Sequence, residues 1–293
     1  MRRVIQAGMA DSRDIARSAQ SERQMQSLRV GDYDSFFRLS LAATRGDPES
    51  AWSSRPYPRW NSPELKGAGV LIVGEQGFGD QIMYARFGKL LQDHGADVTW
   101  LVPTPLVRLF SHCLGGRVQS MDAPCNFENL SFCFASNELP LLFFPQLAAP
   151  PSAPYLAPPK PNIIPGNRIG VVTQGNPGLA WDNHRTLPPE LASELLAIPG
   201  AVSLHPEDTG ARDFFDTATI IAGLDLVVSV DTSVAHLAGA MGKPVWILIS
   251  TAWMDWRWTR HRDHPWYASA RVLYQPTPGD WRSVVDRVKA DLS

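Results

Sequence analysis

The chain has 293 residues, of which 44% are hydrophobic and 19% are charged, and its formal net charge is -2. This length and composition are typical of a globular enzyme of about two domains. A net charge this close to zero gives no positive field that would attract nucleic acid. The chain also has no run of about eighteen apolar residues, the length needed to span a bilayer. We therefore expect no nucleic-acid partner and no transmembrane segment.

The first part of the chain, residues 1–52, is polar and mildly helical, and we interpret it as an N-terminal arm. It lacks the sustained apolar region of a secretory signal, so we predict a cytoplasmic protein, with peripheral membrane association left open. Cys113, Cys125 and Cys133 form no closely spaced pair, which argues against a disulfide framework and a zinc site.

A glycine turn follows the first strong strand signal, at residues 70–73. Gly77 and Gly79 are predicted to let a ligand approach the backbone at the carboxyl edge of a sheet. Gln76 stands where the dinucleotide-binding fingerprint has glycine, so this common nucleotide motif is not met. Asp80 opens the predicted helix, either as a cap or as a carboxylate that faces a cleft.

Composition divides the rest of the chain into two predicted Rossmann-like domains. Alternating strand and helix signals place the first domain at residues 53–144, and a proline-rich linker follows at 145–166. The second domain is then 167–293, a size that suits one α/β unit. Near its end, Asp280 is predicted to cap a final helix.

The first strand signal of the second domain leads into a loop with several groups that bind oxyanions: Asn176, Asn183, His184 and Arg185. The guanidinium of Arg185 matches phosphate geometry, and a loop at the carboxyl end of a strand can direct it into a cleft. The alternatives are a solvated arginine and a histidine that only stabilises the loop.

A second strand–turn–helix unit begins with the apolar run 226–230, which ends at Asp231. Thr232 and Ser233 are placed to cap the next helix, and His236 lies in its first turns. Because unsatisfied N–H groups and the helix dipole favour anions, we predict a phosphate site there. The alternative interpretation is structural, with Asp231 as a cap and His236 as a residue of the helix face.

The segment 250–269 is rich in tryptophan and arginine, including Trp256 and Arg257. Aromatic rings that alternate with arginines can stack on a sugar or a base and contact its phosphates. Core packing of a loop beneath the sheet is the competing explanation. No cluster of His, Cys, Asp and Glu has the spacing of a metal site.

Four segments, GEQGFGDQIMYARF, GNPGLAWDNHRTLP, DLVVSVDTSVAHLAGAMGKPVW and DWRWTRHRDHPWY, resemble in order those of glycosyltransferase family 9. They are particularly similar to the heptosyltransferase-like domains that often follow tetratricopeptide repeats in bacterial proteins. The resemblance covers about residues 53–290. It implies an α/β GT-B fold, with two Rossmann-like domains whose mostly parallel sheets face each other across a cleft.

The resemblance also implies an activity: inverting transfer of a sugar from a nucleotide-diphosphate sugar, without metal or cofactor. The first domain would bind the acceptor, which is a glycan, a lipid-linked sugar or a protein side chain. The second domain would bind the donor.

The family motifs assign roles to individual residues. Asp80 would be the general base on the acceptor hydroxyl, and Arg185 would neutralise charge on the leaving diphosphate. Four residues around the second helix, together with Asn176, would bind the donor: Asp231, Thr232, Ser233 and His236. Three further residues are candidate contacts to donor or acceptor: Gln76, Trp256 and Arg257.

Two departures from the family pattern leave alternatives open. The region 205–216, which would border the nucleotide base, is short, and residues 1–52 are too short for a stable repeat array. A catalytically weak or inactive GT-B protein that binds nucleotide sugars or acts as a scaffold is therefore the main alternative. An epimerase or a hydrolase of nucleotide sugars is a third, because one architecture hosts several reactions.

Overall fold

The computed structural model describes residues 22–27, 30–45, 65–144, 147, 149–163, 165–166, 168–178, 182–252, 254–258 and 266–293. Most of the predicted N-terminal arm, the region 53–64 and parts of the proline-rich linker lie outside the described residues.

The first half of the molecule is built on a parallel sheet of four strands in the order β3-β2-β1-β4. Its strands are β1 (Gly69–Val73), β2 (Asp97–Val102), β3 (Arg117–Ser120) and β4 (Phe132–Ala135). The helices of this half are α1 (Tyr33–Arg45), α2 (Phe78–Asp93), α3 (Thr104–Cys113) and α4 (Pro140–Phe143). All five residues of β1 are buried, as expected for a parallel strand covered on both faces.

The second half contains a parallel sheet of five strands in the order β6-β5-β7-β8-β9. Its strands are β5 (Ile169–Val172), β6 (Ala201–Ser203), β7 (Leu226–Val230), β8 (Val245–Ile249) and β9 (Ala270–Tyr274). Its helices are α5 (Pro189–Leu196), α6 (Pro206–Thr209), α7 (Phe214–Ala222), α8 (Ser233–Ala240) and α9 (Trp281–Leu292). Two short 3-10 turns, Asp182–His184 and Trp256–Trp258, belong to loops of this half.

Local sequence signals account for the element ends. The β7 prediction is confirmed to the residue, and β1 is one residue longer than predicted. Asp280 caps α9 as predicted, because its Oδ1 accepts a hydrogen bond from the Ser283 N–H at 3.0 Å.

The described part of the linker, within residues 149–163, has no regular secondary structure. The N–H groups of Tyr155 and Leu156 both donate to the carbonyl of Ala240, at 3.0 and 3.1 Å. Leu156 is buried, so this extended segment is fixed against the end of α8. Within the described residues, no helix is both long enough and apolar enough to cross a membrane.

Candidate active site

A pocket of about 690 Å³ lies at the carboxyl ends of β1, β5 and β7, where the two halves meet. Open α/β sheets bind ligands at this edge. Seven of the predicted site residues line it: Gln76, Gly77, Asp80, Asn176, Arg185, Thr232 and Ser233. Five others are described but do not line it: Gly79, Asp231, His236, Trp256 and Arg257. The pocket therefore joins residues that are more than 150 positions apart in the chain.

Asp80 occupies the first turn of α2 and uses both carboxylate oxygens. Its Oδ2 accepts a hydrogen bond from the N–H of Gly77 at 3.0 Å, which makes it a cap of its own helix. Its Oδ1 is paired with Nη2 of Arg257 from the other half of the molecule. Both interpretations from the sequence therefore apply at once: the Asp80 side chain caps its helix and also lies at the cleft.

Gln76 has a left-handed backbone conformation, with φ +66°. Such a conformation costs a residue other than glycine about 1–2 kcal/mol. The Gln76 carbonyl accepts a hydrogen bond from Nε2 of Gln81 at 3.3 Å, which supports the turn. A strained residue at the pocket wall is typical of a functional loop.

Gly79 differs from the sequence expectation. A Cβ at this position would lie 2.8 Å from Cδ2 of His236 and 3.3 Å from Cα of Ser233. The missing side chain therefore lets the start of α2 pack on the start of α8, and the approaching group is protein rather than ligand.

The start of α8 is open on one side. Thr232 is the N-cap residue, as predicted, but its side chain makes no capping hydrogen bond. Its Oγ1 lies 3.0 Å from Oγ of Ser229 instead. The backbone N–H groups of the first turn thus lack this side-chain acceptor, and Ser233 faces the pocket beside them.

His236 is a buried support of this helix rather than a residue of the pocket wall. Its Nδ1 lies 2.7 Å from the Tyr267 hydroxyl, and its ring stacks on Trp258 with centroids 5.7 Å apart. Burial, together with nearby arginines, lowers the pKa of His236 well below its usual value, so the ring is neutral.

Asp231 lies 3.9 Å (Oδ1) from Nε2 of His236. Burial, with repulsion from Asp255 as a further cause, raises the pKa of Asp231 to about 7. Its carbonyl accepts a hydrogen bond from Nη1 of Arg185 at 2.6 Å. Asp231 therefore shapes the site through its backbone carbonyl, which fixes the position of Arg185.

Arg185 reaches the pocket with a fixed guanidinium. Its Nε donates to Oδ1 of the buried Asp182 at 2.6 Å, and its side chain is 15% exposed. Gly175 permits this arrangement, since a Cβ there would lie 2.3 Å from Nη2 of Arg185. Of the neighbouring candidates, Asn176 lines the pocket, whereas Asn183 and His184 are exposed and outside its lining.

Trp256 and Arg257 support the site from behind. Trp256 packs on Phe36 of α1 and on Trp266, with ring centroids 4.5 and 5.4 Å apart. Nη1 of Arg257 donates to both carboxylate oxygens of Asp255 at 2.9 Å. Trp256 therefore packs in the core, which was the alternative interpretation from the sequence. Residues 253 and 259–265 of this segment lie outside the described residues.

The sequence analysis placed the short 205–216 region beside the nucleotide base, and this region does line the pocket, but the analysis did not single out the side chains that hold it there. Phe214 meets Phe78 edge to face across the two halves, with centroids 5.2 Å apart, and both line the pocket. Arg108 of α3 pairs with Asp213 at 2.8 Å and with Asp216 at 2.9 Å. The available signal was Phe78, a large apolar residue at the very start of a helix. Among the described residues, no group of three His, Cys, Asp or Glu is arranged to hold a metal.

Comparisons with known proteins place this geometry in context. No known protein-family profile matches the chain. Protein FlbA of Caulobacter vibrioides is 25% identical in an alignment 292 positions long, gaps included, which covers 81% of this chain and 48% of FlbA. The chain thus spans about half the length of this relative.

Two solved structures share the architecture. The heptosyltransferase WaaC of E. coli, with ADP, has a TM-score of 0.52 and 14% identity over 76% of this chain and 98% of WaaC. TibC, an iron-containing dodecameric glycosyltransferase from enterotoxigenic E. coli H10407, has a TM-score of 0.50 and 14% identity over 74% of this chain and 66% of TibC. These similarities show that the chain has the two-domain α/β GT-B fold of such glycosyltransferases, as the sequence resemblance predicted.

Proposed function

We propose that this chain is an inverting, metal-independent glycosyltransferase that moves a sugar from a nucleotide-diphosphate sugar to an acceptor hydroxyl. One observation carries the proposal: a single pocket joins Asp80 to the open N-terminus of α8 and to Arg185. A base and an anion site in one pocket are what such a transfer requires.

The donor diphosphate is proposed to bind at the start of α8. Free N–H groups of the first turn, the positive end of the helix dipole and Ser233 would hold the phosphates. Arg185 would add one fixed positive charge at the same wall. WaaC was solved with ADP, and TibC with ADP-D-beta-D-heptose, which supports a nucleoside diphosphate as the ligand class.

In the proposed transfer, the acceptor oxygen forms a bond to the anomeric carbon while the bond from that carbon to the diphosphate oxygen breaks. Asp80 takes the hydroxyl proton, and the electron pair leaves with the diphosphate. An ionised carboxylate has about four lone-pair sites. The bonds from Gly77 and Arg257 use two of them, so the others can accept the proton.

A second candidate is a GT-B protein that binds nucleotide sugars with little or no turnover. The contacts of Asp80 favour it, because Arg257 is paired with Oδ1 and the Gly77 N–H donates to Oδ2, so both oxygens already have a partner. Binding is common to both candidates, and only turnover separates them.

Calorimetry with ADP, GDP and UDP tests the donor site, on the native protein, Arg185→Gln and Arg168→Gln. Arg168 is an exposed arginine at the opposite end of β5, so it controls for loss of a positive charge. We expect one diphosphate to bind, Arg185→Gln to weaken it about tenfold, or about 1.4 kcal/mol, and Arg168→Gln to leave it unchanged. Failure of all three nucleotides to bind would contradict the proposal.

A further inference from the structure

Arg257 is a buried cation at the boundary between the two halves. It lies in the short turn Trp256–Trp258 of the second half, and its side chain is 8% exposed. A buried charge is tolerated only when it is paired and hydrogen-bonded. The positions of its hydrogen-bond partners therefore indicate the role of the guanidinium.

Its donors are fixed on three sides. Nη1 binds both oxygens of Asp255 at 2.9 Å, and Nε points to Sδ of Met83 at 3.1 Å. Nη2 is directed to Oδ1 of Asp80. Because the guanidinium is a rigid planar fork, fixing Nη1 and Nε also fixes the direction of Nη2.

The carboxylate of Asp80 is thereby held at both ends. Oδ1 is paired with Arg257, and Oδ2 accepts from the Gly77 N–H at 3.0 Å. Rotation about the bond to the carboxyl group would break both interactions. One orientation at the pocket wall is therefore selected, and its selection needs a residue from each half of the molecule.

Packing from a third direction holds the arginine itself. The guanidinium carbon lies 4.6 Å from the ring centroid of Trp256, which in turn lies against Phe36 and Phe37 of α1. Stacking of this kind restricts a guanidinium to one plane.

We propose that Arg257 is a positioning residue for Asp80, which orients the carboxylate toward the acceptor only when the two halves are together. The inference rests on the proposed function, because it gives Asp80 the role of base. Arg257 itself is not among the described residues that line the pocket.

Carbodiimide labelling tests the orientation without any substrate. The native protein, Arg257→Gln, Arg257→Lys and Arg108→Gln are treated with a carbodiimide and glycinamide, and modification of Asp80 is followed by peptide mass spectrometry. Arg108→Gln is the matched control, since Arg108 also bridges the halves but does not contact Asp80. We expect Asp80 to be labelled about tenfold faster in Arg257→Gln, at an intermediate rate in Arg257→Lys, and unchanged in Arg108→Gln. Equal labelling of Asp80 in the native protein and both Arg257 variants would overturn the proposal.

Turnover separates positioning from a structural role. The rate is the release of nucleoside diphosphate from a nucleotide sugar that carries the best-binding base of ADP, GDP and UDP. We expect Arg257→Gln to lower kcat at least about tenfold and to change the Kd of that diphosphate less than about threefold. An unchanged kcat in a folded variant would overturn the proposal. If none of the three nucleotides binds the native protein, the proposed function fails, and the labelling result still decides the orientation.

Discussion

Asp80 combines a structural and a proposed chemical role in one carboxylate. It caps α2 through Gly77 and lines the same pocket as Thr232 and Ser233. A cap substitution costs about 1 kcal/mol, whereas loss of a general base costs about two to four orders of magnitude in rate. The two roles are therefore separable by experiment.

Asp80→Asn is expected to keep nucleotide binding and to lower turnover at least about a hundredfold, because an amide cannot take the acceptor proton. Asp97→Asn is the control, since Asp97 is an exposed aspartate of the same half. Diphosphate release and calorimetry measure the two effects. Equal turnover in Asp80→Asn and the native protein would show that Asp80 is not the base.

Asp231 and His236 place two titratable groups with opposite pKa changes beside one helix start. Burial raises the pKa of Asp231 to about 7, so the folded state holds a proton that the unfolded state loses near its usual 3.8. The stability contributed by this group is therefore lost as the pH rises from about 4 to 7. Burial lowers the pKa of His236, so the effect of this group is opposite: it destabilises the folded state as the pH falls below the usual pKa of 6.5.

Asp231→Asn removes the first effect and leaves the second in place. We expect its stability relative to the native protein to increase by about 2–3 kcal/mol between pH 5 and pH 8, at about 1.4 kcal/mol per pH unit up to pH 7. Urea unfolding at both pH values measures the difference. A difference that is the same at pH 5 and pH 8 would mean that Asp231 is ionised throughout.

At the level of elements, α1 connects the two halves. Phe37 is buried and contacts Phe144 of the first half and Trp256 of the second, with ring centroids 5.7 and 5.9 Å apart. The same helix places Phe36 on Trp256, next to Arg257. A helix from the N-terminal region therefore completes the core behind the pocket.

Phe37→Ala is expected to lower the free energy of unfolding by about 3–5 kcal/mol, as usual for a buried phenylalanine. Val30→Ala, at a site that is 68% exposed, is expected to change it by less than about 0.5 kcal/mol. Urea denaturation measures both. Equal stability of the two variants would show that α1 does not pack as described.

The elements show which features the sequence could predict. The ends of β7 and the cap of α9 follow from local signals: an apolar run that stops at Asp231, and Asp280 before an apolar helix face. The pairing of Asp80 with Arg257 spans 177 positions, and no local pattern encodes it. Likewise, the sequence alone predicts that Gly79 lets a ligand approach the backbone. Only the position of His236 shows that a protein side chain occupies this space.

At the scale of the whole molecule, the pocket exists because the two sheets meet at their carboxyl ends. Besides the pairing of Arg257 with Asp80, Arg108 joins α3 to Asp213 and Asp216 of the second half. Arg86 of α2 donates to the carbonyls of Pro151 and Trp266, at 2.5 and 2.8 Å. These contacts hold the base side and the anion side of the pocket in one arrangement.

The most direct test of the central claim is a crystal structure with whichever of ADP, GDP and UDP binds most tightly. We predict that the diphosphate lies within about 3 Å of the backbone N–H groups of Ser233 or Val234, faces Asp80 and contacts Arg185. A nucleotide bound away from the start of α8, or outside the pocket between the halves, would contradict the account.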